Sequence, residues 1–288
     1  MSESKHMKKY RFKLSKPFKF LLTLLTCVSF SYGYGILAVN AQIPRTDATV
    51  LSVPAEFDRQ EAIWLLWPTL EYKQGYPPAN VTKQIIQALA GYEKINLGVQ
   101  DAEEIKNVKQ FLRANNISDR HVRYQIVPHA DMWARDVAPI FAKSDRSPIV
   151  PDFNFNFWGY EEPTSELSTT EEKVDRIIAN LLRIPTLKSN VISEGGNKEF
   201  NGKGILMLTE AVEFQRNPGM SRLQLEREYQ RTFGVKKFIW LKQGIYEDDQ
   251  TFKGTLPSPD GQKNVFTVYT TGGHVDEFAR FVSPDTIA

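Results

Sequence analysis

Ile95-Asn96-Leu97-Gly98-Val99, followed after one residue by Asp101-Ala102-Glu103-Glu104-Ile105, passes from one periodicity to another almost without a link. The first run is apolar and of strand length. Asp101 then opens a helix whose Ile105, Val108, Phe111 and Leu112 share one face, with Glu104 at capping-box spacing. Residues 122–127 resume an extended pattern. Strand, helix and strand in close succession are the unit of an α/β chain. Upstream, residues 62–68 form an apolar run closed by Pro68, and residues 80–92 place Val81, Ile85, Ala88 and Leu89 at helical spacing. Downstream, Thr169 and Glu172 are expected to cap a helix carrying Val174, Ile177, Ile178, Leu181 and Leu182, stopped at Pro185. Ser221 and Gln224 cap another that ends near Gly234, before a strand over Lys237–Leu241. Residues 246–263, rich in Pro, Gly and Asp, read as an exposed loop before a strand at 264–269. No linker divides the body.

Composition is that of an ordinary globular protein, 41% hydrophobic and 24% charged. The net charge of +2 is unevenly spread. Residues 1–41 hold seven Lys/Arg and one acid, so the remainder is mildly acidic. Such a body gives no footing for nucleic acid and tolerates a cationic ligand. The basic stretch through Lys19, the apolar run from Phe20 and the small Ala41 read as a signal peptide over residues 1–41, with a permanent N-terminal anchor as the alternative. Export is expected, periplasmic or secreted, with any membrane contact confined to that segment. The sole cysteine, Cys27, falls inside it, so disulfides contribute nothing to the body at 42–288.

Three clusters carry chemistry: Trp133-Ala134-Arg135-Asp136, Glu194-Gly195-Gly196-Asn197 and Gly272-Gly273-His274-Val275-Asp276. Asp136 is expected to head a strand at 137–142, and Glu194 to end one at 190–193. His274 and Asp276 are expected on one face of a strand. Singly, each has a bland account: a salt-bridged strand end, a tight glycine turn, an alternating strand. His121 and His129 lack metal-ligand spacing, so a zinc site is not expected. Together the clusters offer three carboxylates and an imidazole, a set suited to holding a planar cation and moving protons around it.

At these positions the chain resembles the agmatine deiminase and bacterial-type peptidylarginine deiminase family of the guanidine-modifying superfamily. The stretches that carry the resemblance are Val53-Pro54-Ala55-Glu56-Phe57 with the run at 62–68, Met132-Trp133-Ala134-Arg135-Asp136 and Glu194-Gly195-Gly196-Asn197. Thr209-Glu210-Ala211 with Asn217-Pro218, and Gly273-His274-Val275-Asp276-Glu277-Phe278, complete the set. They occur in order across residues 50–288. The resemblance implies a five-bladed α/β propeller of strand-helix-strand units, with Asp136, Glu194, His274 and Asp276 converging at one mouth of its channel.

It also implies the roles. Asp136 and Asp276 would clamp the guanidinium of agmatine or of an arginine side chain, with Trp133 beside them in the substrate-binding set. A cysteine thiolate would attack the central carbon, and His274 would protonate the departing ammonia and later activate water. Glu194 would hold His274 protonated and oriented, or share the guanidinium. No metal or organic cofactor is required. In such families the nucleophile lies near the C-terminus, beyond the last residue here, Ala288. The expectation is therefore a fragment, an incomplete propeller lacking its last blade or blades. An exposed strand edge and the loss of covalent catalysis would follow. The alternative is a catalytically inactive guanidine-binding or interaction protein.

Overall fold

The computed structural model describes residues 51–288 apart from 74, 76, 146, 251, 252, 254, 257, 264, 265 and 268. The expected processing segment at 1–41, Cys27 included, lies outside the described residues.

The first sheet grows from the stretch that announced it. β1 (Ile63–Leu66), α1 (Thr69–Lys73), α2 (Pro78–Leu89), β2 (Ile95–Val99), α3 (Ala102–Ala114) and β3 (Val122–Ile126) follow in order. The three strands are parallel in the order β1-β2-β3, with Ile63 opposite Ile95 and Ile95 opposite Val122. Parallel neighbours need crossovers, which α2 and α3 supply. Ile86 of α2 and Val108 and Leu112 of α3 bury themselves against Trp67, Ile95, Leu97 and Val99. The alternation of a strand sends Ile63 and Leu65 of β1 to that core. Trp64 and Leu66 go to a second one with Val127, Val137, Phe155, Trp158 and Ile178.

The second and third sheets repeat a different motif. After α4 (Ala134–Val137) come β4 (Ala142–Lys143), β5 (Pro148–Asn154), α5 (Glu166–Glu171), α6 (Val174–Leu182) and β6 (Thr186–Ile192). Then follow β7 (Glu199–Phe200), β8 (Ile205–Thr209), α7 (Glu210–Arg216), α8 (Arg222–Phe233) and β9 (Lys237–Leu241). In each sheet a two-residue strand pairs antiparallel with a longer one, and that one pairs parallel with the strand beyond the helices. Leu206 and Leu208 of β8 face Leu225, Tyr229 and Phe233 of α8. Truncating Leu225 to Ala would cost about 2–5 kcal/mol. Met207, between the two leucines, points to the other face and packs on Val275 and Phe281. That contact seats the segment carrying His274 on the third sheet. Two ribbons complete the described chain, β10 (Thr255–Leu256) with β11 (Phe266–Thr267) and β12 (Phe281–Ser283) with β13 (Thr286–Ile287).

The fold is α/β, as the periodicities require. The described strands make three three-stranded sheets and two ribbons, and no sheet among them closes.

Several local expectations are corrected. Asp136 sits inside α4, and extended pairing begins only at Ala142, because Pro139 supplies no amide to a ladder. His274 and Asp276 lie on a 3-10 turn over Val275–Glu277, so the same-face argument for a strand does not apply. Gly272 and Gly273, at φ 81° and 119°, turn the chain out of extended geometry just before it. Thr169 and Glu172 do not cap α6. Ser165 caps α5 by accepting from the Ser168 amide, and Thr169 bonds back to the Ser165 carbonyl. Asp101 caps α3, whereas Glu104 answers the Gln100 amide and the Thr69 hydroxyl rather than Asp101 itself. Ser221 and Gln224 form the reciprocal box as expected. Among the described residues no helix is long and apolar enough to cross a membrane.

Candidate functional site

The site is built over the backbone of two glycines. Glu194 follows β6, and Gly195–Asn197 forms a 3-10 turn. A Cβ on Gly196 would lie 2.6 Å from Asp136 Oδ1 and closer still to His274 Nδ1, and one on Gly195 would strike the Arg135 carbonyl. Glycine is required because the segments carrying Asp136, Glu194 and His274 meet there. The Gly196 amide donates to Asp136 Oδ1 at 3.0 Å. Asp136 Oδ2 accepts from Trp158 Nε1 at 3.0 Å. Phe157 and Trp158 both take left-handed backbone (φ 53° and 55°) to aim that indole, a conformation costing about 1–2 kcal/mol per residue.

His274 is 1% exposed and lies between two carboxylates. Its Nδ1 is 3.3 Å from Asp136 Oδ1, and its Nε2 is 3.4 Å from Glu194 Oε2. The second contact is an ion pair whose hydrogen-bond geometry is not met, and neither atom has another hydrogen-bond partner. Burial alone would push the imidazole pKa down. Asp136 and Glu194 overcome it and raise it to about 10, so the ring is a cation at neutral pH.

Glu194 is fully buried. Burial would raise its pKa, but Arg216 and His274 hold the carboxyl well below the usual carboxylate range. Arg216 Nε donates to Glu194 Oε1 at 2.7 Å, and Arg216 Nη2 donates to the Thr271 carbonyl at 2.6 Å. Asp276 is less enclosed. Burial lifts it to about 6, with His274 and Arg135 pulling it down and Asp136 pushing it up. Arg135 Nε stands 3.6 Å from Asp276 Oδ2, and its guanidinium is also gripped by Glu56, which Arg280 shares.

Behind Glu194 runs a second buried network. Lys198, 4% exposed, donates to the Ser193 hydroxyl and, at 2.6 Å, to the Glu194 carbonyl. Tyr229 donates to Glu213 Oε2, and Asn197 Nδ2 donates to Glu213 Oε1 at 2.9 Å. Burial lowers the Lys198 pKa and raises that of Glu213. A cavity of about 30 Å³ lined by Asp136, Ser193, Lys198 and Asp175 lies here. That is room for about one water, too small for a substrate.

The structure thus brings Asp136, Glu194 and His274 into direct register, with Asp276 beside them. Trp133 heads α4 and is 52% exposed at the surface. Sequence reading missed Arg216, Lys198, Glu213 and Trp158. A signal existed for two of them: Glu213 and Arg216 stand three apart in α7 on the face that buries Val212, where charges are out of place. Among the described residues no group of three or more His, Cys, Asp or Glu is arranged to hold a metal ion.

Comparison with known proteins gives the chain's relatives. The chain is 28% identical over 250 residues to the agmatine deiminase of Medicago truncatula, covering 82% of this chain and 60% of that protein. It is 26% identical over 252 residues to the agmatine deiminase of Pseudomonas aeruginosa (strain LESB58), covering 85% and 61%. The chain spans 58–61% of the length of the curated relatives it matches. Its fold is similar to a structure of Enterococcus faecalis agmatine deiminase (TM-score 0.67, 22% identity, 84% of this chain and 62% of that one). A structure of C. jejuni agmatine deiminase with substrate bound is similar too (TM-score 0.64, 22% identity, 82% and 63%). Residues 52–254 match the Porphyromonas-type peptidyl-arginine deiminases, and the chain belongs to that family.

Proposed function

We propose that this chain forms the guanidinium-recognising part of a deiminase that converts a guanidinium to a ureido group with release of ammonia. The observation that carries the reading is His274, buried as a cation between Asp136 and Glu194 with Asp276 alongside. Asp136 and Asp276 receive the planar cation through charge-assisted hydrogen bonds. A cysteine thiolate from outside residues 51–288 adds to the guanidinium carbon to give a tetrahedral adduct, which collapses with the C–S bond kept and the C–N bond broken. His274 gives its proton to the departing nitrogen, which leaves as ammonia. The ring, now neutral, takes a proton from water as that water attacks the thiouronium carbon. The C–S bond then breaks and the ureido product departs. Agmatine is the proposed substrate, after the names of the relatives, with an arginine side chain as the other member of the class. The five-bladed propeller and export through residues 1–41 belong to the same proposal.

The same carboxylates would serve a second reading, a protein that binds guanidines without turning them over, since Asp136 and Asp276 flank His274 whether or not chemistry follows. One experiment separates them. Agmatine, arginine and an arginyl peptide are offered to the full chain while binding heat and ammonia are followed. Binding that Asp276→Asn removes supports the site, and ammonia release blocked by iodoacetamide supports turnover. Binding without ammonia favours the second reading. No heat with any of the three overturns both.

A further inference from the structure

We infer that Arg216 is a positioning residue, an internal guanidinium that occupies Glu194 and ties together the three segments from which the site is built. It is 2% exposed and sits at the end of α7. Nε bonds Glu194 Oε1 at 2.7 Å and Nη2 bonds the Thr271 carbonyl at 2.6 Å, three residues before His274. Nη1 bonds Gln215 Oε1. Gly159, at φ 79°, lies so close that a Cβ there would stand 3.0 Å from Arg216 Nη1. One side chain therefore touches the turn after β6, the segment that orients Trp158 on Asp136, and the turn that carries His274.

The Thr271 turn is otherwise held by small contacts. The Tyr160 hydroxyl donates to the Thr270 carbonyl at 2.8 Å and accepts the Thr270 amide at 3.1 Å. The Gly272 amide bonds the Thr270 hydroxyl, and the His274 amide bonds the Thr271 hydroxyl. Thr271 Oγ1 also donates to Glu277 Oε1 at 2.8 Å, a partner from the neighbouring 3-10 turn, whereas Arg216 brings in its charge from α7. A planar fork suits this task and an ammonium does not, because two acceptors in different directions must be met at once.

The arrangement also assigns the charges. Arg216 takes Glu194 Oε1 by a hydrogen bond, and His274 stands 3.4 Å from Oε2 as an ion pair, so the charge of Glu194 is already matched by two cations of the protein's own. Asp136 is shared with His274, and Asp276, whose side chain is 17% exposed, makes among the described residues a single ion pair, with Arg135 at 3.6 Å. A guanidine-binding site thus keeps its own guanidinium out of competition by burying it on a carboxylate of its own.

The test is Arg216→Lys in the full chain, which keeps the buried charge and loses the fork. Amide exchange at Thr270, Gly272 and His274 should rise about tenfold, the effect expected for loss of one charge-assisted bond, while Ile95–Val99 exchanges as before. Agmatine affinity, an arm that rests on the proposed function, should fall by a similar factor. Unchanged exchange at the three amides, or faster exchange spread evenly over the chain, overturns the inference. If wild type binds no agmatine, the functional reading fails and the exchange arm still decides about Arg216. Should Arg216→Lys not fold, the wild-type Arg216 Nε proton decides. Its resonance must be slow to exchange and must move when Glu194→Gln is introduced, and a rapidly exchanging proton overturns the inference.

Discussion

The Gly196 amide and the Asp136 carboxylate meet at 3.0 Å, and the imidazole of His274 packs against both. The backbone of one turn, the carboxylate of a second segment and the imidazole of a third are thereby held in contact with no side chain to separate them. Gly196→Ala should therefore abolish agmatine binding and destabilise the fold by about 1–3 kcal/mol, the usual effect of overpacking. Urea unfolding and calorimetric titration of the same preparation check both.

Asp276 is the most accessible carboxylate of the set, and its substitution should be the gentlest to the fold. Asp276→Asn removes one charge-assisted partner, about 1.5–3 kcal/mol of binding, and agmatine affinity should drop at least tenfold with the melting temperature nearly unchanged. Equal affinity in the variant would remove Asp276 from the clamp.

Affinity for agmatine should depend on pH through the same residue. With a pKa raised to about 6, Asp276 is neutral in mildly acidic solution and charged above it. Binding should strengthen as pH rises through about 6 and level off by neutrality. Titrations across that window check it, and a profile that Asp276→Asn leaves intact would point to another group.

His274 has the opposite consequence for stability. Its folded pKa of about 10 lies above the ordinary value of 6.5, so the native state holds a proton that the unfolded chain releases. The stabilisation is complete below 6.5 and fades as pH rises from there toward 10. Denaturant midpoints should fall across that interval, and less so in His274→Gln. An imidazole resonance titrating near 6.5 would contradict the ion-pair geometry.

Lys198 and Glu213 should be energetically linked. Removing Lys198 alone leaves buried acceptors without their cation, so Lys198→Met should cost about 3–5 kcal/mol. The double variant with Glu213→Gln should recover part of that, and a double-mutant cycle measures the linkage. Strict additivity would show that the two charges do not interact.

Much of the scaffold is legible in the chain. β2 and β9 fall on the runs expected of them, and Ser221 with Gln224 forms the reciprocal cap, because periodicity and capping depend on neighbours a few residues apart. The Asp136 and His274 segments are misread as strands for the same reason: local pattern alone does not distinguish a strand from the short helix that holds Asp136, or from the 3-10 turn at His274 set by glycine backbone and by packing on Met207.

By itself the sequence determines that this is an α/β chain with three carboxylates and one imidazole gathered in three separate clusters. It also shows two glycines beside one of those acids and no thiol in the described body. Those are properties of residue type and short spacing. Only the tertiary structure decides that Glu194 belongs to Arg216 and His274 while Asp276 stays partly exposed, and that Trp158 rather than Trp133 bonds Asp136. The physical reason is range. A buried charge is governed by whichever partner the fold brings within about 4 Å, and here those partners come from different sheets and helices far apart along the chain.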